Sequence, residues 1–248
     1  MQEKWIFINA TTHRSGSTFM QRVINACSKA HIWGETNIGV RLLDIATVLQ
    51  KAANRGGDMQ REDFMSGNRD IWMAHMCPSQ TQVYDALRIM MHHMYNVEGK
   101  RVGLKDLYYS KEVIQFMARL FPDARFLFVT RNPVNAYLSY KNTNWPDKDE
   151  VKFLKSWTNR SLAYKKLSED LCQRAMFIRY EDVDMEKFRN IYDFLDLPFE
   201  RTVEDVINNR VGGSRKSQAL TDSEAELIRN HCADAYKKIY GTSLEITV

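Results

Sequence analysis

The segment WIFINATTHRSGSTFM, residues 5–20, most strongly constrains what this chain can fold into. It begins as an apolar run typical of a buried strand, continues as a loop of small polar residues, and ends in the first turn of an amphipathic helix. The apolar residues of that helix follow the i, i+3, i+4, i+7 spacing of one helix face: Met20, Val23, Ile24 and Cys27. A strand that leads through such a loop into a helix is typical of anion-binding sites, because free backbone N–H groups and the helix dipole both favour negative charge.

The rest of the chain alternates short apolar runs with longer amphipathic ones. Besides WIFINA, four runs rich in β-branched or aromatic residues predict strands: DIWMAHM, RVGLKD, RFLFVT and AMFIRYE. The helical pattern predicts helices over residues 79–97, 111–121, 151–171 and 184–195, and TDSE at residues 221–224 predicts a capping box on the last helix. This alternation predicts a single α/β domain over residues 1–248, with a mostly parallel central sheet flanked by helices, of the P-loop-containing nucleotide-binding type.

Composition bears on the class of partner. The 248 residues carry a net charge of +4, which suits a small anionic ligand and is too weak to indicate nucleic acid or a membrane surface. The four cysteines lie far apart without a CxxC pair, as in a reduced cytosolic protein. The N-terminal MQEKWIFINA leaves no room for a signal peptide, and no apolar run approaches the ~20 residues of a membrane span. We therefore expect a cytoplasmic protein without membrane or nucleic-acid partners, of unknown oligomeric state.

The first loop differs from that of nucleotide-hydrolysing P-loop proteins. Against the pattern GxxxxGK[ST], Thr11 stands where the first glycine belongs and Ser17 where the lysine belongs, which disfavours a magnesium-dependent NTPase. Gly16 lets backbone N–H groups approach an anion closely, and Arg14 brings a planar, permanently charged fork. We expect an anion to be held by the loop and the start of the helix: Arg14, Ser15, Gly16, Ser17, Thr18 and Phe19.

A second anion site is predicted in FLFVTRNPVNAYLSYKN. Arg131 follows a strand directly, Pro133 suits the first turn of a helix, and Ser139 lies eight residues after Arg131. An arginine at a strand end and a serine two turns into the next helix can together hold a second phosphate.

The two segments together resemble the sulfotransferases that use 3′-phosphoadenosine 5′-phosphosulfate (PAPS). In that family the first loop holds the 5′-phosphosulfate, and the later arginine and serine hold the 3′-phosphate. HRSGSTF matches the arginine-bearing loop of Golgi-type, tyrosylprotein-type and many bacterial members, whereas the cytosolic phenol and steroid enzymes carry lysine there. The resemblance implies that PAPS is the co-substrate and that sulfuryl transfer releases adenosine 3′,5′-bisphosphate (PAP).

The resemblance also implies further site residues. GET at residues 34–36 resembles the segment that carries the base of tyrosylprotein-type members, which makes Glu35 the implied base. Lys105 in GLKD matches the lysine that assists the transferring group, and Arg14 is implied to share in catalysis. Tyr180 in IRYEDV matches a tyrosine near the adenine. GGSRKS is similar to the late basic loop over the 3′-phosphate and adds Ser214, Arg215 and Lys216.

The identity of the base stays open between Glu35 and His75. His75 ends a predicted strand in WMAHMCP, and cytosolic sulfotransferases use a histidine base in a similar segment. A buried histidine whose hydrogen bonds are satisfied is the other interpretation of His75.

Two other classes of protein also stay open: a P-loop kinase or NTPase-like phosphotransferase, and a non-catalytic anion-binding module. No metal site is expected, because His92 and His93 are adjacent on a predicted helix and do not share a face. Residues 36–100 and the loop around Trp145 and Pro146 are expected to form the acceptor wall. The expected acceptor is a small-molecule hydroxyl or amine, with a specialised metabolite as the preferred class.

Overall fold

The structure, a computed structural model, describes residues 4–74, 76–209 and 219–247. Four predicted site residues therefore lie outside the described residues: His75, Ser214, Arg215 and Lys216.

Contacts between Cα atoms divide the chain into two compact units. The first unit comprises residues 1–36, 97–111 and 123–248, and the second comprises residues 37–96 and 112–122. The single domain over residues 1–248 stays a prediction.

The first unit contains a five-stranded parallel sheet. Its strands are β1 (Ile6–Ala10), β2 (Ala30–Trp33), β3 (Arg101–Leu107), β4 (Arg125–Thr130) and β5 (Ala175–Arg179). Their order is β2-β3-β1-β4-β5, and every pairing is parallel. The central strand is β1, where Ile8 lies between Lys105 of β3 and Leu127 of β4. The predicted parallel α/β architecture is confirmed.

Helices follow most of the strands. In chain order they are α1 (Ser17–Asn25), α2 (Ile38–Ala52), α3 (Asp58–Met65), α4 (Gln80–Tyr95), α5 (Lys111–Leu120), α6 (Pro133–Lys141), α7 (Glu150–Asp170), α8 (Met185–Phe194), α9 (Arg201–Asn208) and α10 (Asp222–Tyr240). The predicted helices over residues 79–97, 111–121, 151–171 and 184–195 are confirmed within one or two residues. The predicted capping box of the last helix is confirmed as well, with Thr221 as the N-cap and Glu224 at the third helical position.

Alternation along the strands buries apolar side chains on both faces of the sheet. On one face, Ile8 and Val129 belong to a core cluster with Val23 of α1 and Phe188 of α8. On the other face, aromatic rings stack along the strands: Phe7 lies 5.2 Å from Phe126, which lies 6.2 Å from Phe128 (ring centroids). The ring of Tyr164 in α7 covers Phe128 at 5.0 Å. Helices therefore flank both faces of the sheet.

The second unit is helical in its described residues. It contains α2, α3, α4 and nearly all of α5. The rings of Tyr84 in α4 and Phe116 in α5 meet edge to face at 5.7 Å, and Arg88 Nε donates to the carbonyl oxygen of Leu120 at 2.6 Å.

The strand predicted over DIWMAHM is wrong, because residues 70–74 form no strand. The side chains of Trp72 and Met73 are 72% and 47% exposed, so this apolar run is not part of a buried sheet. The strand beside β3 is instead β2, with the short sequence AHIW, which we did not predict. Only Ala30 and Ile32 of β2 are buried, which is too short an apolar pattern to indicate a strand by itself.

We predict that Gly103→Ala destabilises the sheet. A Cβ atom at Gly103 would lie 2.2 Å from the carbonyl oxygen of Ile6 and 2.6 Å from Cδ1 of Ile32. Because the Ile6 oxygen belongs to the backbone of the central strand, no side-chain rotation relieves the first clash. The free energy of unfolding, measured by urea denaturation, should fall by about 1–3 kcal/mol.

Gly34→Ala is the matched control, since a Cβ atom there meets nothing within 4 Å. Its free energy of unfolding should stay within about 0.5 kcal/mol of the parent value. Equal stability of the two variants would contradict the tight packing around Gly103.

Candidate functional site

The loop between β1 and α1 is shaped by its own hydroxyl groups. Ser15, Thr11 and Thr12 are fully buried. Ser15 Oγ donates to the carbonyl oxygen of Thr12 at 2.9 Å, accepts from the Thr12 N–H at 3.3 Å, and lies 3.2 Å from Thr11 Oγ1. The Ser15 hydroxyl is therefore engaged within the loop, so a contact of Ser15 with an anion would come from its backbone N–H.

Gly16 is required at the end of this loop for two reasons. It is the N-cap of α1 with φ 90°, a conformation that favours glycine. A Cβ atom at Gly16 would also lie 2.1 Å from Cδ2 of Tyr180, whose ring packs directly on the loop. The ring of Phe19 meets the Tyr180 ring edge to face at 6.3 Å. Tyr180, Phe19 and the loop thus lie together.

A cavity of about 920 Å³ opens above the loop. It is large enough for a ligand of nucleotide size, since small-molecule sites span roughly 300–1,000 Å³. Its lining combines residues of the loop and α1 with residues of α6 and the segment after it: Arg14, Gly16, Ser17, Thr18, Arg22, Arg131, Asn135, Leu138, Ser139, Asn142, Thr143, Asn144, Trp145 and Tyr180. The two predicted anion-binding segments therefore line one cavity.

Helix α6 begins at Pro133, as the sequence of the second predicted anion-binding segment indicated. Pro133 occupies its first turn, and the side chain of Asn132 caps it by accepting from the N–H of Val134 at 2.9 Å. This start places Arg131 at the end of β4 and Ser139 two turns into α6, on the side that faces the cavity.

The two predicted anion-binding segments are joined by hydrogen bonds through Arg14. Arg14 Nε donates to Ser139 Oγ at 2.9 Å, and Arg131 Nη1 donates to the carbonyl oxygen of Arg14 at 3.2 Å. The Arg131 guanidinium also lies over the ring of Tyr180, 5.1 Å from its centroid. Arg14, Arg131, Ser139 and Tyr180 thus form one cluster, which we call the arginine cluster.

Glu35 and Lys105 form an ion pair, in which Lys105 Nζ donates to Glu35 Oε1. The Lys105 side chain is 5% exposed, whereas that of Glu35 is 46% exposed. The Glu35 segment is also held by its neighbour, because the Thr36 N–H donates to Asp106 Oδ1 at 3.1 Å. The structure therefore brings together the two residues implied as base and catalytic lysine.

His13 contacts a residue that lines the cavity, and we did not predict it. Its ring meets the rings of Tyr108 at 4.8 Å and Trp145 at 4.7 Å edge to face, and Trp145 lines the cavity. Burial lowers the pKa of His13 from 6.5. The Glu35 carboxylate opposes this shift, and the Lys105 ammonium adds to it. The only signal for His13 in the sequence is its place next to Arg14.

Other residues that line the cavity were also missed. Arg22 adds a cation one turn along α1, and Asn135 lies one turn before Ser139 on α6. The helical spacing could have indicated both residues, because residues four positions apart lie on one face of a helix. Asn142 and Asn144 follow α6 in an irregular segment, where spacing gives no such guide.

Within residues 4–74, 76–209 and 219–247, no group of three or more His, Cys, Asp or Glu residues is placed to hold a metal ion. Within those same ranges, no helix combines the length and the apolar character needed to cross a membrane.

Known proteins with a similar sequence or structure are sulfotransferases. The model of the Sulfotransfer_3 family, described as "Sulfotransferase family", matches residues 6–201. No curated protein sequence matches the chain. Among solved structures, sulfotransferase STF9 from Mycobacterium avium is 16% identical, with 100% of this chain and 79% of that chain covered and a TM-score of 0.52. Sulfotransferase STF1 from Mycobacterium tuberculosis H37Rv is 13% identical, with 94% and 77% covered and a TM-score of 0.52. These two likenesses show a shared fold.

The family match spans β1 to the start of α9 and includes both predicted anion-binding segments, the ion pair and Tyr180. This chain belongs to the sulfotransferase family, whose members are enzymes that transfer a sulfuryl group.

Proposed function

We propose that this protein transfers the sulfuryl group of PAPS to a hydroxyl or amine of a small-molecule acceptor and releases PAP. One observation carries the proposal: two anion-binding segments, the loop with Gly16 and the pair Arg131 and Ser139, line the same cavity. A donor with one anionic group at its 5′ end and another at its 3′ position needs two such segments. A P-loop kinase would instead need a lysine where Ser17 stands.

The donor is proposed to bind along the cavity. The N-terminus of α1 supplies backbone N–H groups and a favourable dipole for the 5′-phosphosulfate, and Ser17 and Thr18 lie in its first turn. Arg131 and Ser139 suit the 3′-phosphate, because an arginine fork and a hydroxyl both donate to phosphate oxygens. Tyr180 lines the cavity and is proposed to lie near the adenine. A contact from Phe19 stays a prediction. Contacts from Ser214, Arg215 and Lys216 stay a prediction.

The ion pair is proposed to carry the chemistry. The acceptor oxygen or nitrogen attacks sulfur, the bond from sulfur to the bridging oxygen breaks, and that oxygen keeps the electron pair. Lys105 is nearly fully buried, so its ammonium can stabilise this developing charge in a site with little water. Glu35 is half exposed and can take the acceptor's proton once Lys105 donates to the sulfuryl group instead.

The acceptor is proposed to bind at the rim of the cavity, next to Trp145. Trp145 is 42% exposed at the rim of the cavity, which supports an acceptor wall at this loop. We propose a small-molecule acceptor, with a specialised metabolite as the preferred class, and a reaction that needs no metal. Four free thiols support a cytoplasmic setting.

The donor proposal predicts selective binding of 3′-phosphorylated nucleotides. PAP should raise the melting temperature, whereas ATP with magnesium should raise it little. By calorimetry, Arg131→Ala should weaken PAP by roughly tenfold to more than a hundredfold, the value of a charge-assisted contact, and should affect adenosine 5′-phosphosulfate far less. Equal losses for both ligands would contradict the assignment of Arg131 to the 3′-phosphate.

The transfer proposal predicts that Lys105→Ala lowers turnover far more than donor affinity. Turnover is measured as the mass gain of one sulfuryl group after incubation of PAPS with metabolite pools, and donor affinity by calorimetry with PAP. Lys100→Ala, which removes an exposed lysine just before β3, is the matched control and should retain turnover. Undiminished turnover in Lys105→Ala would remove Lys105 from the catalytic set.

The base proposal predicts that Glu35→Gln lowers turnover by about 10²–10⁴-fold, because the side chain keeps its shape and loses its basicity. Donor binding should be nearly unchanged. Glu169→Gln is the matched control, since Glu169 also pairs with a lysine, Lys165, on the surface of α7. If Glu35→Gln stays active while His75→Asn is inactive, the base is His75.

A further inference from the structure

Helix α7 places Arg160 at the edge of the sheet where the candidate site lies. Trp157 Nε1 donates to the carbonyl oxygen of Arg131, directly after β4, at 2.8 Å. Tyr164 Oη donates to the carbonyl oxygen of Tyr109, shortly after β3, at 2.9 Å. Arg160 lies in the part of α7 between these two anchor points, and therefore near the carboxyl ends of β3 and β4.

The guanidinium of Arg160 has an aromatic partner but no ion pair. It lies over the ring of Tyr108, 4.5 Å from the ring centroid, and the residue is partly buried. In the part of the chain that the structure describes, no carboxylate pairs with Arg160. A guanidinium carries five N–H donors in its own plane, so stacking on a ring leaves them available at its edge. Arg160 can therefore bind an anion from outside the chain.

Tyr108 connects Arg160 to the proposed chemistry. It lies three residues after Lys105, and its hydroxyl oxygen accepts from the His13 N–H at 3.3 Å. Burial raises the pKa of Tyr108 from 10.0, and the charges of Arg160 and Glu35 act on that pKa with opposite sign. Both Arg160 and the proposed base are therefore close enough to act on one hydroxyl group.

Aromatic rings extend from Tyr108 to the rim of the cavity. The ring of His13 meets that of Tyr108 at 4.8 Å and that of Trp145 at 4.7 Å, both edge to face. Trp145 lines the cavity and is 42% exposed, so much of its ring can contact a bound molecule. A molecule at this rim would meet an apolar surface and, beyond Tyr108, a guanidinium without an acidic partner in the described residues.

We propose that the acceptor is a hydroxy acid whose carboxylate binds Arg160, whose apolar part packs against Trp145, and whose hydroxyl lies beside Glu35. The inference rests on the proposed function and narrows its acceptor to one chemical class. The carboxylate takes no part in the bond changes. The acceptor oxygen forms its bond to sulfur and gives its proton to Glu35, while PAP leaves with the electron pair of the bridging bond. Arg160 thus determines specificity, and the transfer itself stays with the ion pair.

Two probes that differ only in charge test this assignment: para-hydroxyphenylacetate and its methyl ester. Both keep the ring and the hydroxyl, and their affinities are measured by calorimetry in the presence of PAP. The unmodified protein should bind the acid roughly tenfold to more than a hundredfold more tightly than the ester, the value of a charge-assisted contact. Arg160→Gln should remove that preference and change the affinity for the ester little. An ester that binds as tightly as the acid, or an acid that does not bind, would overturn the proposal.

Two further variants separate direct recognition from indirect effects. Lys155→Gln removes an exposed cation from the same helix and should leave the preference for the acid unchanged. Arg160→Lys keeps the charge but loses the planar fork, so it should restore part of the preference. A loss of preference in Lys155→Gln would show a general charge effect. Equal losses for acid and ester in Arg160→Gln would show a purely structural role. Either result would overturn the assignment.

Kinetics with PAPS give a second readout. Arg160→Gln should raise the KM for the acid far more than it lowers kcat, because the carboxylate contact is the same in the ground and transition states. A loss confined to kcat would overturn the proposal. Failure of the proposed function gives a different result, in which the acid still binds through Arg160 but neither probe gains the mass of a sulfuryl group from PAPS.

Discussion

Parallel pairing of β1 with β3 and β4 is the constraint on which the rest of the site depends. Ala10, the last residue of β1, lies opposite Leu107 of β3 and Val129 of β4, so all three strands end at one edge of the sheet. Parallel strands expose their carboxyl ends together, and loops there can approach one another. The loop after β1, the Lys105 segment and the Arg131 segment meet at this edge for that reason, although the chain between them is long.

Burial of charge at this edge explains why Lys105 pairs with Glu35. An ammonium group as deeply buried as that of Lys105 is costly unless a partner of opposite charge compensates it. Glu35 supplies that charge, and the bond from the Thr36 N–H to Asp106 keeps its segment close to β3. In the proposed reaction the same ammonium acts on the sulfuryl group, so the ion pair keeps the proposed base and the proposed catalytic lysine close to each other.

Positive φ values occur in the loops that follow β1 and β3. Arg14, Gly16 and Tyr108 all have positive φ. Each is held by a contact from elsewhere in the chain: the Arg131 guanidinium on Arg14, the Tyr180 ring on Gly16, and the His13 N–H, which donates to Tyr108 Oη at 3.3 Å. Conformations of this kind cost free energy and are characteristic of sites whose geometry is set before the ligand arrives. The loop is thus held in shape by segments that lie far away in the sequence.

Local patterns by themselves determined the parallel α/β class and four of the five strands, because alternation, helical spacing and turn residues act over a few positions. From the same patterns, the two anion-binding segments stay a prediction. These patterns did not predict β2, which has only four residues. They wrongly predicted a strand at residues 70–74, because apolar composition does not show whether a segment is buried. The resemblance to sulfotransferases supplied Glu35 and Lys105, but only the tertiary structure paired them. It alone also decided where the Arg14 side chain points, because Ser139 lies 125 residues away and meets Arg14 only after β1 and β4 have paired.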